Sequence, residues 1–140
     1  MRQKIGPMIS AETETWIKQN FENLNQGATY ALDAFPALYA RTLHDLRGKF
    51  SAAELRLMAD VMNATALTPM IAGQHLAINV RDGIELDRLD EKWGVQKEEI
   101  LRKLDLPIFA LACLEIWIQA FWEHGSKNKG GLETWIKRLL

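Results

Sequence analysis

Pro107-Ile-Phe-Ala-Leu-Ala-Cys-Leu-Glu-Ile-Trp-Ile-Gln-Ala-Phe-Trp-Glu123 is the most hydrophobic stretch of this 140-residue chain. Leu111, Leu114, Trp117, Ile118, Phe121 and Trp122 recur in it at helical spacing, and apolar residues fill most of the other faces. Proline at the opening position is pre-set for a helix start. A helix that is apolar nearly all round belongs in the middle of a core. The spacing therefore predicts a mainly α protein with 107–123 at its centre. The stretch is shorter than the run of about 18 or more apolar residues that would span a bilayer, so no membrane partner is expected.

Caps and apolar stripes predict the neighbouring elements. Ser51-Ala-Ala-Glu54 is a capping box, followed by the stripe Leu55, Met58, Ala59, Met62. Thr68-Pro69 restarts the chain as a cap and first helical position, and a helix through Ile71, His75, Leu76, Ile78 and Asn79 is expected to reach Val80 before a loop around Asp82-Gly83. An acidic helix or turn is expected over 87–93, and a short helix over 95–104. A glycine- and lysine-rich linker (125–131) leads to a last amphipathic segment, 132–140, with Leu132, Trp135, Ile136 and Leu139 on one side. So short a helix is marginal alone in water; it must dock on its own domain or on a partner.

Toward the amino terminus, Ser10 reads as an N-cap, with Thr13 three residues on and Glu12 and Glu14 in the first turn. A helix is expected over 11–21 with Trp16, Ile17 and Phe21 as its buried edge. Asn25 is assigned as the cap of a second helix that starts near Gln26 and buries Ala28, Ala31, Leu32 and Phe35. Pro36 either kinks this helix or opens another, and Gly48 ends the pattern. Residues 4–9, Lys-Ile-Gly-Pro-Met-Ile, alternate weakly and read as a short extended segment at a sheet edge, since Pro7 cannot donate to a ladder.

Composition narrows the function classes. The chain is 48% hydrophobic with a formal charge of −1, which exerts no global pull on nucleic acid. The lone cysteine, Cys113, lies in an apolar run and reads as an inert buried thiol, with no sign of an oxidising compartment; the apolar stretch before Ser10 is too short for a signal peptide, and the expected location is cytoplasmic. The dispersed glycines form no phosphate loop, and His44, His75 and His124 show no metal-ligand spacing. Neither a cofactor nor a metal is expected, and no enzyme. Asp87, Asp90 and Glu91, with Glu85, form an acidic patch read mainly as a solvated face. Glu115, inside the apolar helix, is read as marking a narrow wet face with Gln119, because a buried carboxylate would need a partner.

The first fifty residues resemble the ribbon-helix-helix proteins, the family of the Arc, MetJ and CopG repressors, through the order short strand, capped helix, polar turn, second helix. The whole chain also resembles bacterial or prophage proteins with which no function is associated. The family resemblance implies a homodimer whose paired amino-terminal strands enter the major groove of DNA as a β-ribbon. By position, it assigns Arg2, Lys4, Gly6, Met8, Asn25 and Gln26 to DNA, and Ile5, Pro7, Ile9, Trp16, Ala31 and Leu32 to the dimer. The expected architecture is a short N-terminal β-strand followed by a bundle of about six to seven helices. Its expected divisions are a dimerisation and DNA-binding unit (1–48), a continuous helical domain (49–124) and the terminal helix (132–140). The function expected on this basis is a DNA-binding transcriptional regulator. The alternative is a non-enzymatic protein-interaction or phage accessory module that keeps only the dimerisation unit and meets a host or regulatory protein.

Overall fold

A computed structural model describes residues 10–63, 74–123 and 131–140. Among them the regular structure is entirely helical: α1 (Ala11–Asn20), α2 (Leu24–Leu46), α3 (Ala52–Asn63), α4 (Gln74–Asp87), α5 (Leu89–Trp93), α6 (Lys97–Lys103), α7 (Ile108–Glu123) and α8 (Gly131–Lys137). The chain divides into two compact units, Met1–Tyr39 and Ala40–Leu140, with the boundary inside α2.

In the first unit, the Ser10 hydroxyl accepts from the Thr13 amide at 3.1 Å, the cap that starts α1. Phe21 leaves the helix in an extended conformation. The next cap is Asn23, whose Oδ1 accepts from the Gln26 amide at 2.8 Å, while Gln26 Oε1 reaches back to the Glu22 amide at 3.1 Å. The helix therefore starts before Asn25, which lies exposed within its first turn. Gly27 lets the two helices meet. A Cβ there would run into the Ile17 side chain and the Phe21 ring, so the close approach requires glycine. Ile17 is buried at this contact, but Trp16 is 54% exposed, leaning edge-on toward Phe21 rather than forming a buried edge. Pro36 neither ends nor restarts α2, which runs through it for 23 residues.

The second unit is built on α7. Leu111, Ala112, Cys113, Leu114, Trp117, Ile118 and Phe121 are buried, as the all-round apolar pattern predicts. Helices α3 and α4 pack on α7 and on each other, contributing Leu55, Met58, Leu76 and Val80 to the core. The capping box opens α3 as expected: Glu54 N donates to Ser51 Oγ at 3.1 Å and Ser51 N to Glu54 Oε1 at 2.8 Å. The same Oε1 receives Lys103 Nζ at 2.6 Å, which ties α6 to the start of α3.

Two turns close the unit. Arg88, at φ 50°, and Gly94, at φ 68°, bracket α5. The expected loop at Asp82-Gly83 is instead the continuation of α4, because a Cβ at Gly83 would sit 2.7 Å from Leu89 Cδ1 and 3.0 Å from Val61 Cγ1. Glycine there serves helix packing rather than chain reversal.

The terminal helix docks on its own unit. Ile136 and Leu139 are buried, Trp135 stacks on Trp117 at 5.8 Å, and its indole N–H donates to the Trp117 carbonyl at 3.1 Å. Arg56 grips Glu133 through two hydrogen bonds of 2.8 and 2.7 Å. No single described helix is long and apolar enough to cross a membrane.

The ribbon-helix-helix expectation is overturned. Eight helices and no strand make up the described fold. The proposed strand, 4–9, lies outside the described residues, and its Pro7 has no N–H to give a ladder. The fold is all-α, and the short capped helix followed by a second helix reflects ordinary helix-pair chemistry.

Docking of α8 makes a direct prediction. Ile136→Ala should destabilise the protein by about 2–5 kcal/mol, the cost of emptying a buried aliphatic site. Urea unfolding followed by tryptophan fluorescence checks it; a change near zero would mean that α8 is not part of the core.

Candidate functional site

Of the residues assigned to DNA, Arg2, Lys4, Gly6 and Met8 lie outside the described residues, as do Ile5, Pro7 and Ile9 of the assigned dimer contact. Asn25 and Gln26 lie exposed on the first turn of α2, and Trp16, Ala31 and Leu32 are exposed on the first unit. With no ribbon in the described fold, nothing gathers these positions into a DNA-reading surface, and both that mechanism and the DNA-binding description are withdrawn.

The groups with chemical potential in the sequence are engaged otherwise. Glu115 is buried, not on a wet face: its Oε1 accepts from the Leu76 amide at 2.8 Å and so caps the start of α4. A carboxylate suits that position, where unpaired N–H groups and the helix dipole both favour negative charge. Burial pushes the Cys113 thiol up, against a smaller opposing effect of its hydrogen bond with Thr42. That direction favours the unreactive protonated form. His75 is also buried, and its Nε2 has no hydrogen-bond partner among the described residues. His124 lies outside them. Among the described residues no three His, Cys, Asp or Glu side chains converge as a metal site.

Among the described residues, a cleft of about 480 Å³ lies where α3, α4 and α5 meet. Asn79, Asp82, Gly83, Leu86 and Asp87 form its α4 wall, at the spacing i, i+3, i+4, i+7, i+8 that defines one helix face. Val61 of α3 and Leu89 of α5 supply apolar surface, and Asp60 and Lys92 close one end. The close approach at Gly83 brings these walls together. Another hollow, of about 360 Å³, is lined by side chains of α1 alone and so cannot hold a ligand from two sides.

The charges in the cleft are unequally satisfied. Asp60 Oδ2 accepts from Lys92 Nζ at 2.8 Å and from the Trp93 indole at 2.9 Å, and Lys92 also lies 5.2 Å over the Trp93 ring. Burial pushes the Asp60 carboxyl up, but the hydrogen bonds from Lys92 and Trp93 and the Lys92 charge outweigh it and hold the carboxyl below its ordinary range. Asp82 and Asp87 are exposed and form no ion pair or hydrogen bond among the described residues. Leu86, beside them, is 79% exposed.

Of this cleft only Asp87 belonged to the acidic patch read from the sequence. Reading Asp82-Gly83 as a loop hid the rest, although the 79-82-83-86-87 spacing was present as a signal. Comparisons of the chain with protein-family models, with curated proteins and with solved structures find no match.

Two measurements test this electrostatic description. Glu115→Leu should cost about 1–3 kcal/mol by leaving the Leu76 amide unpaired in the interior, with Glu115→Gln milder because the amide oxygen still accepts; chemical denaturation compares them. The Asp60 contribution has a defined pH sign. Its folded carboxyl is depressed, so its stabilisation is fully present above the unfolded aspartate value, about pH 4, and is lost as pH falls through the folded value below it. Asp60→Asn should therefore be less stable than the native chain at neutral pH, with the difference shrinking below about pH 4 in pH-dependent urea titrations.

Proposed function

We propose that this chain is a non-enzymatic protein-interaction module that docks a protein partner on the α3–α4–α5 cleft. The observation that carries this reading is Leu86, a large aliphatic side chain left 79% exposed at the mouth of a concavity whose other apolar surfaces are Val61 and Leu89. An apolar anchor point ringed by polar side chains is the usual anatomy of a docking surface. Two further facts support binding over catalysis. Glu115 is committed to capping a helix, and Cys113 is buried with its thiol pushed toward the protonated form. The side chains around the cleft instead offer shape, apolar contact and charge.

A photo-crosslinking amino acid in place of Leu86 tests the reading in cells, with the same group at Ile108, an apolar residue of α7 that is 55% exposed, as the control. A discrete adduct with one mass-identified protein is expected from position 86 and not from 108, and excess unmodified chain should compete it away. No adduct, or the same adducts from both positions, would overturn the cleft as a docking surface.

A further inference from the structure

The cleft also carries information about the chemistry of what it binds. We infer that its partner is a basic amphipathic helix, whose apolar side chains sit against Leu86 and Leu89 while lysines or arginines meet Asp82 and Asp87. The inference rests on the docking reading above and deepens it.

Charge is the first consideration. Lys92, the cation lining the cleft, is already neutralised by Asp60 at 2.8 Å. Asp82 and Asp87 have no such partner among the described residues. The side chains lining the cleft therefore carry an excess of negative charge, Asp60, Asp82 and Asp87 against Lys92, and the exposed Arg81 and Arg88 are not among them. Such a surface repels nucleic acid and anionic membrane and attracts a cationic segment. Unpaired carboxylates on the rim also cost little while free, because water solvates them, and gain partners only when a cation arrives.

Shape is the second consideration. The α4 wall runs from Asn79 to Asp87, and at a rise of 1.5 Å per residue it extends over roughly 12 Å. That matches about two turns of a partner helix, which presents apolar side chains at i and i+3 or i+4 on one face with charges flanking them. Leu86 and Leu89 provide the matching apolar contacts. Burying a leucine this exposed has a tenfold or greater effect on affinity, to order of magnitude.

The test uses the full chain and fluorescently labelled synthetic helices of about three turns, read by anisotropy. One has a leucine stripe with lysine elsewhere, the second replaces lysine by glutamate, and the third by glutamine. The lysine peptide should bind best, weaken as salt is raised, and lose about tenfold in affinity to Asp82→Lys/Asp87→Lys and at least as much to Leu86→Ala. Because all three side chains are exposed, circular dichroism and urea midpoints should match the native chain. If the glutamine or glutamate peptide binds as well as the lysine peptide, with Leu86→Ala harmful and the charge reversal neutral, the basic partner is overturned while the docking cleft stands. If no peptide binds, or binding ignores Leu86→Ala and the charge reversal alike, the basic-helix inference fails; position-specific crosslinking at Leu86 then decides the docking reading separately.

Discussion

The second unit depends on one constraint: the Leu111, Leu114, Trp117, Ile118 and Phe121 side chains of α7 must be covered, while its Ile108, Phe109 and Ile116 remain at the surface. A helix of this kind cannot rest on the surface of a bundle without exposing several large side chains. Helices α3 and α4 cover it from two directions. The flank around Trp117 and Phe121 is closed by Trp135 of α8, which stacks on the first at 5.8 Å and tilts against the second at 6.0 Å. The Trp122 indole donates to the Ala59 carbonyl at 3.0 Å, so even the polar atoms of α7's aromatic end are used to attach it to α3.

That constraint also explains the position of Glu115. The start of α4, laid against α7, brings backbone amides without an intrahelical partner into the interior, and such groups are costly when dry. A single carboxylate on α7 supplies the acceptor for the Leu76 amide at the start of α4. The residue that looks out of place in an apolar helix is therefore part of what orients its neighbour. Once α4 is set in this way, Leu86 is left at the surface, and Gly83 on the same face allows α3 and α5 to approach closely enough to make walls. The candidate site is thus a consequence of how the core is covered.

Local chemistry near the chain was largely readable. The Ser10 cap, the capping box at Ser51 and Glu54, the end of α2 near Gly48 and the central helix from Pro107 all depend on residues within a turn or two of one another. The errors have a common origin. Asn25 and Asn23 are both good caps, and the choice fell to Asn23 when Gln26 could reach back to Glu22. Gly83 carries the turn-forming signature of Asp-Gly, but its neighbours across space, Val61 and Leu89, needed a residue without Cβ inside a helix. The strand-helix-helix resemblance failed for a related reason: the order of a few short elements says little about what those elements pack against, and the described residues form helices without a strand.

The helical class, the central place of 107–123 and the caps that start α1 and α3 are legible along the chain, because periodicity and hydrogen bonds over three or four residues need no distant partner. Packing in three dimensions is what buries Glu115 as a cap, lays the last helix over its own core, and brings Asp82, Leu86 and Leu89 into a cleft with Asp60. Each of these depends on residues brought together from separate helices. Their spacing along the chain carries no record of that meeting, which is set by how the bundle buries α7.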